Sequence, residues 1–235
     1  MIVDFDFEHV PYRFEHPDGD HIGRMQAAAR SFYELDLLTA IRGELRARPR
    51  TGGPREWALD VGAHVGNHAV YFAGVLGLRV LALEPNPEIL PFLTKNAGQC
   101  SGITVLGVAV GGGPGDVRVQ LPPRDLRSAT VNTGMAHVDD IARGGPLAVC
   151  TRLQDAVALL PPGARIRVVK LDVEGWEDAI IAGSLALFRD QRPIVVAEAH
   201  NEERLAALDG QLGRLGYERD PRRFCKTPTY LWSPR

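Results

Sequence analysis

Apolar residues and acids alternate near the start of the chain, where Val3, Phe5 and Phe7 interleave with Asp4, Asp6 and Glu8. A period of two puts the apolar side chains on one side of an extended segment, which predicts a short edge strand with a solvated face. From position 22 to about 45 the period changes: Met25, Phe32, Leu35, Leu38 and Ile41 recur at helical spacing, so one helix is expected there. The run Arg48-Pro-Arg-Thr-Gly-Gly-Pro54 ends it and supplies a connector.

Beyond Pro54 the pattern becomes strand, turn and helix, repeated. Strands are expected at 57–61, 79–83 and 103–110, with helices at 67–76 and 87–96 between them. Strands this apolar, separated by helices, predict a parallel sheet covered on both faces. Positions 111–165 are less regular: Val117, Val119 and Leu121 alternate, and 147–153 reads as a strand, with Pro and Gly clusters between them. This predicts a hairpin-like decoration with a loop. The core pattern resumes with a strand at 166–171, a helix at 177–187, a strand at 193–199 and a helix at 202–215. Segments 217–219 and 229–232 would close the sheet as two antiparallel strands. The 235 residues suit one core with an extension, divided as 1–53 and 54–235.

Composition narrows the function classes. A formal charge of −2, without a broad basic stripe, gives no footprint for nucleic acid. Cys100, Cys150 and Cys225 form neither a paired framework nor a short metal-ligand spacing, which suits a reducing compartment. The opening residues show no basic leader or apolar core, and no stretch approaches the roughly 20 apolar residues of a spanning helix, so a cytoplasmic, soluble chain without a membrane partner is expected.

The candidate chemistry lies at strand ends. In Ala58-Leu-Asp-Val-Gly-Ala-His-Val-Gly-Asn67 a strand runs through Asp60 into a turn with Gly62 and Gly66, then into a helix whose free N–H groups and dipole favour an anionic group. His64 stands where a dinucleotide fingerprint needs its second glycine, and is too bulky for close pyrophosphate approach. By itself the turn fits either ligand binding or tight packing. Glu84 ends the second strand, 24 residues after Asp60, where a carboxylate can accept both hydroxyls of a ribose; capping of the following helix is the plainer alternative. Asp172 and Glu174 end the strand at 166–171, with Lys170 an odd charge within it that is expected to pair with one of them. Glu198 and His200, two apart at the next strand end, share one side of an extended segment, and His200 can accept a proton near neutrality. Asp172, Glu198, His200 and Asn201 also offer oxygen and nitrogen ligands to a divalent cation, but such polar strand ends are common and a metal is not the favoured expectation.

These motifs together resemble the FkbM family of class I S-adenosylmethionine-dependent methyltransferases. The resemblance is carried by Phe32-Tyr-Glu34, Leu59-Asp-Val-Gly-Ala-His-Val-Gly-Asn-His68, Leu83-Glu-Pro-Asn-Pro-Glu88, Val108-Ala-Val-Gly111, Lys170-Leu-Asp-Val-Glu-Gly-Trp-Glu177 and Pro193-Ile-Val-Val-Ala-Glu-Ala-His200, in family order. It implies a Rossmann-like α/β fold with a mostly parallel seven-stranded sheet, helices on both faces and an N-terminal helical extension. It also implies S-adenosyl-L-methionine as cofactor and O-methylation of a hydroxyl on a small molecule, sugar or natural product. By that resemblance Asp60, Gly62 and Gly66 surround the methionine part, Glu84 holds the ribose, Asn86 lies beside it, and Val108 and Ala109 line the adenine pocket. Glu34, Ala63, His64, Asn67 and Pro85 complete the cofactor-facing set. Asp172 falls near the reacting methyl; His200 or Asp172 would take the acceptor proton, with Glu198 orienting the site. Asn132 and His137 from the irregular segment, with Glu174 and Asn201, would face the acceptor. The family pattern usually has a smaller or amide residue at His64, and 111–165 carries no motif naming a substrate. A small-molecule alcohol and a second copy of the chain are the partners this reading admits. The competing classes are an NAD-dependent oxidoreductase and a noncatalytic α/β ligand-binding protein.

Overall fold

A computed structural model describes residues 1–48, 55–120, 137–139 and 145–235. Its centre is a seven-stranded sheet. Strands β3 (Glu56–Val61), β4 (Arg79–Leu83), β5 (Ile103–Leu106), β10 (Arg165–Leu171) and β11 (Ile194–Glu198) pair in parallel, and β12 (Tyr217–Arg219) and β13 (Thr229–Pro234) complete it antiparallel. The order is β12-β13-β11-β10-β3-β4-β5, so the chain works outward from β3 in one direction and then from β10 in the other. The crevice at that reversal, over the carboxyl ends of β3 and β10, is where such sheets bind ligands.

Period-two alternation divides each central strand between two cores. Ala58, Val80, Ala82, Val168, Ile194 and Val196 face one side, packed with α2 (Leu35–Ala47), α3 (Asn67–Gly74) and α4 (Leu90–Ala97). Leu59, Leu81, Leu83, Val169, Val195 and Ala197 face the other, covered by α5 (Leu153–Val157), α6 (Glu177–Gly183), α7 (Leu185–Gln191) and α8 (Glu202–Arg214). The result is the expected Rossmann-like three-layer arrangement. Among the described residues, no helix is long and apolar enough to cross a membrane.

The N-terminal strand, β1 (Ile2–Phe7), has a hairpin partner that the alternation left unseen, β2 (Val10–Glu15). Phe5, Tyr12 and Tyr71 each meet the Phe32 ring edge-on, with centroids 5.2, 4.8 and 5.1 Å away, so this extension shares the main core. The single helix expected over 22–45 is instead two, α1 (His21–Ala29) and α2. Arg30 ends α1 in the left-handed conformation, and the Tyr33 backbone N–H and C=O bond the Asn67 side chain (2.9 and 3.0 Å) where helix-ladder partners would otherwise stand. Helical spacing survives the break, which is why periodicity alone merges the two.

Two further divisions differ from expectation. The third strand splits at Gly107–Val108: β5 stays in the main sheet while β6 (Ala109–Gly111) joins a four-stranded sheet with β9 (Leu147–Arg152), β7 (Gly115–Gln120) and β8 (His137–Asp139). The helix expected over 177–187 breaks between α6 and α7, where a Cβ on Gly183 would come within 2.5 Å of the Gly112 carbonyl oxygen. Close passage of the Gly112 backbone thus accompanies that break.

Candidate functional site

A cleft partly open to solvent lies over the β3, β4 and β10 ends. Seven of the expected residues line it together: Gly62, His64, Glu84, Pro85, Val108, Ala109 and Asp172. The strand-to-turn geometry explains how β3 delivers its share. The N–H groups of Gly62 and Ala63 both donate to the Leu83 carbonyl (2.9 and 3.1 Å), which curls the chain over the end of β4. Gly62 and His64 both have positive φ, +72° and +48°.

Glu84 is tied into this turn. It is buried, and its carboxylate accepts from the backbone N–H of His64 and of Asn86, each at 2.9 Å. Burial raises its pKa despite those two donors. A carboxylate has about four acceptor positions, so two hydrogen bonds leave capacity for ribose hydroxyls. Apolar side chains of Leu83, Val108, Ala109, Val119 and Trp176 form walls of the kind an adenine ring packs on. Burial lowers the His64 pKa to about 4, so the ring is neutral at physiological pH. The residues present therefore fit a nucleoside with a cationic tail, because the cleft also contains the carboxylate of Asp172.

Asp172 and Asp60 are joined by one cation. The Lys170 ammonium lies 3.3 Å from each of them and donates to the Gly62 carbonyl at 2.7 Å. Lys170 faces Asp60 across the β10–β3 register, on the same side of the sheet, so an in-strand lysine is paired by topology. Pairing with one of Asp172 and Glu174 was expected; Asp172 is the one engaged, and Asp60 is a second partner. Burial works to depress the lysine pKa, but the charges of Asp172, Asp60 and Glu34 together raise it. Burial likewise opposes ionisation of Asp172, and Lys170, then His68, hold its pKa below the usual value. Asp60 itself is fully buried beneath the turn.

A second group forms beside the cleft. His200 Nε2 lies 3.3 Å from Glu198 and 3.5 Å from Glu174. Burial, followed by the Asp172 charge, pushes the Glu198 carboxyl up to about 9 and that of Glu174 to about 7. Glu174 has a left-handed backbone (φ 56°), and the turn around it is held by Glu177, which accepts from the N–H groups of Val173 and Gly175. The four-residue cation set anticipated at these strand ends is rearranged: Asp172 is engaged by Lys170, Asn201 caps α8 by accepting from Arg204 N at 2.9 Å, and Glu174 joins Glu198 and His200.

Other expected residues do structural work in this arrangement. Asn67 accepts from Gln26 Nε2 at 2.8 Å as well as from Tyr33 N, tying the extension to the turn after β3. Asn86 Oδ1 accepts from Glu88 N and shapes the turn after Glu84. Gly66 begins α3 with φ +90°, against Leu93, and Ala63 is buried behind the turn. Glu34 meets His68 at 3.3 Å. Asn132 lies outside the described residues, and of His137 the backbone alone is described, in β8.

Motif reading missed Ile22 and Val119 in the cleft wall, and Tyr33 and Cys225 near Asp172. Burial, then the Glu34 charge, raises the pKa values of the Tyr33 hydroxyl and the Cys225 thiol, and both also feel Asp172. Tyr33 sits inside a stretch that carried the family resemblance and could have been found there; Ile22 and Cys225 had no signal in the sequence.

Comparison with known proteins bears on this geometry. Residues 60–218 match the Methyltransferase FkbM domain, well over half the chain. The chain belongs to the FkbM methyltransferase family. Among solved structures, this FkbM-family chain is similar to Methyltransferase FkbM from Methylobacillus flagellatus KT, at 19% identity and a TM-score of 0.55 over 78% of this chain and 44% of that one. The chain thus spans less than half the length of that relative. It is also similar to a human methyltransferase 10 domain containing protein (15% identity, TM-score 0.52, 86% of this chain and 81% of that one). The N-terminal domain of human METTL16, solved in complex with SAH, aligns at 17% identity with a TM-score of 0.50 over 85% of this chain and 69% of that one. At these identities the structural matches establish the fold. No curated protein matches the chain. Fold and family together give the chain the fold of S-adenosylmethionine-dependent methyltransferases.

Proposed function

We propose that the chain transfers a methyl group from S-adenosyl-L-methionine to a hydroxyl of a small-molecule, sugar or natural-product acceptor. The observation that carries this is the pairing of Glu84 and Asp172 in one cleft, a hydrogen-bonding carboxylate at the nucleoside end and an ionised one at the other. The similarly folded N-terminal domain of human METTL16 was solved in complex with SAH, which supports a ligand of that class for this chain.

Glu84 would bind the ribose, the Val108–Ala109 wall the adenine, and Asp172 the cationic region beside the sulfonium. Bound there, S-adenosylmethionine supplies a methyl whose bond to sulfur breaks, returning its electron pair to sulfur, as the acceptor oxygen bonds the carbon. Asp172 would accept the acceptor's proton and release it to solvent, while Glu198 and His200 border the acceptor side. Rate would come mainly from alignment and from carboxylates already fixed before reaction. The test is calorimetry with S-adenosylmethionine and with NAD, followed by labelled methyl transfer to a panel of sugar and natural-product alcohols. Binding of S-adenosylmethionine with labelled alcohol product is expected. Binding of NAD in its place would return the oxidoreductase reading, and binding without product on any acceptor would favour a noncatalytic ligand-binding role.

A further inference from the structure

We propose that Glu174, Glu198 and His200 form a divalent-cation site beside the cofactor cleft. One donor atom from each lies within 4.8 Å of the other two, with His200 Nε2 at 3.3 Å from Glu198 Oε2 and 3.5 Å from Glu174 Oε2. Donors bound to one metal at 2.0–2.2 Å stand about 3.0–3.6 Å apart, so both histidine spacings already suit a shared ion and the carboxylates need only a small approach.

A second observation is independent of the clustering. The Glu198 side chain is 5% exposed, and its Oε2, the atom facing His200, has no hydrogen bond among the described residues. A buried carboxylate oxygen in that condition is costly unless a cation or donor meets it. The surroundings are anionic: Asp172, Glu174 and Glu177 all act on Glu198, against the Lys170 ammonium. His200 is 35% exposed, which leaves an entry path and open coordination positions. The backbone carries the same emphasis, since Glu174 is held in its left-handed conformation by the two hydrogen bonds to Glu177.

Two carboxylates and an imidazole suit a first-row ion such as Mn²⁺ better than Ca²⁺, which takes oxygen ligands in larger number. The site requires no methyl donor and goes beyond the proposed reaction. A role for the ion in that reaction, binding an acceptor hydroxyl oxygen, would rest on the proposed function.

The experiment is Mn²⁺ binding to the purified full chain, stripped with chelator and followed by electron paramagnetic resonance and calorimetry. One ion per chain is expected, with at least tenfold weaker binding in Glu198→Gln and in His200→Gln, and no change in Glu203→Gln, an exposed acid at the start of α8. His200→Gln is the deciding variant if Glu198→Gln does not fold. Absence of Mn²⁺ binding in the parent protein, or equal affinity in His200→Gln, overturns the site. Titration of S-adenosylmethionine into the same samples separates the two readings: Mn²⁺ bound as expected without S-adenosylmethionine binding leaves the cation site standing and removes the methyl-transfer proposal.

Discussion

A Cβ on Gly62 would stand 1.8 Å from the carbonyl oxygen of Asp172. The turn after β3 and the end of β10 at Asp172 therefore approach backbone to backbone, and the glycine is demanded by the protein's own packing before any ligand arrives. Of the two readings of this turn, ligand binding and tight packing, the contact itself carries the packing one. Close approach here also brings the Gly62 carbonyl to Lys170, so the turn, Asp60 and Asp172 are held as one unit.

Gly62→Ala adds a backbone clash to a left-handed conformation, φ +72°. A destabilisation of about 2–5 kcal/mol is expected, read as a lower urea midpoint with unchanged slope. A variant as stable as the parent would show that the β3–β10 approach is looser than described.

Glu84→Ala removes the acceptor of two backbone N–H groups and the proposed ribose ligand together. S-adenosylmethionine affinity should fall by about tenfold to a hundredfold, the worth of charged hydrogen bonds, with a stability loss of about 1–3 kcal/mol for the stranded donors. Calorimetry on the folded variant checks the first figure; an unchanged Kd removes the ribose assignment.

Lys170→Met strands the fully buried Asp60 carboxylate without its cation. Breaking such a pair from one side costs about 3–5 kcal/mol. The double variant Asp60→Asn with Lys170→Met should be less destabilised than Lys170→Met alone. Chemical denaturation of both, in one buffer, tests the coupling; a double variant less stable than Lys170→Met contradicts it.

His64 gives a pH signature. Its folded-state pKa is about 4 against an ordinary 6.5, with burial as the main cause. Between those values the unfolded chain binds the extra proton, so this group's effect on stability is neutral above about pH 6.5 and increasingly unfavourable as pH falls toward 4. Asn tolerates the left-handed φ of 48°. His64→Asn should therefore lose less stability than the parent between pH 6.5 and 4, measured as the difference between two urea series. Parallel curves would show that His64 titrates normally in the folded protein.

Burial patterns repeated every two or every three to four residues determined the parallel strands, their covering helices and the closing antiparallel pair, because each depends on side chains close in sequence. The motif positions likewise marked the crevice, since strand ends at a sheet's reversal point converge wherever the fold forms. Tertiary structure decided what depends on partners far along the chain. Phe32 and Tyr33 leave the helix because Phe5, Tyr12, Tyr71 and Asn67 receive them. Lys170 pairs with Asp60 because the β10–β3 register sets them opposite. His200 meets Glu174 because two strand ends and a strained turn converge there. Local spacing carries no record of inter-strand register, and at Gly62 it was register and backbone approach that gave an ordinary-looking glycine its reason.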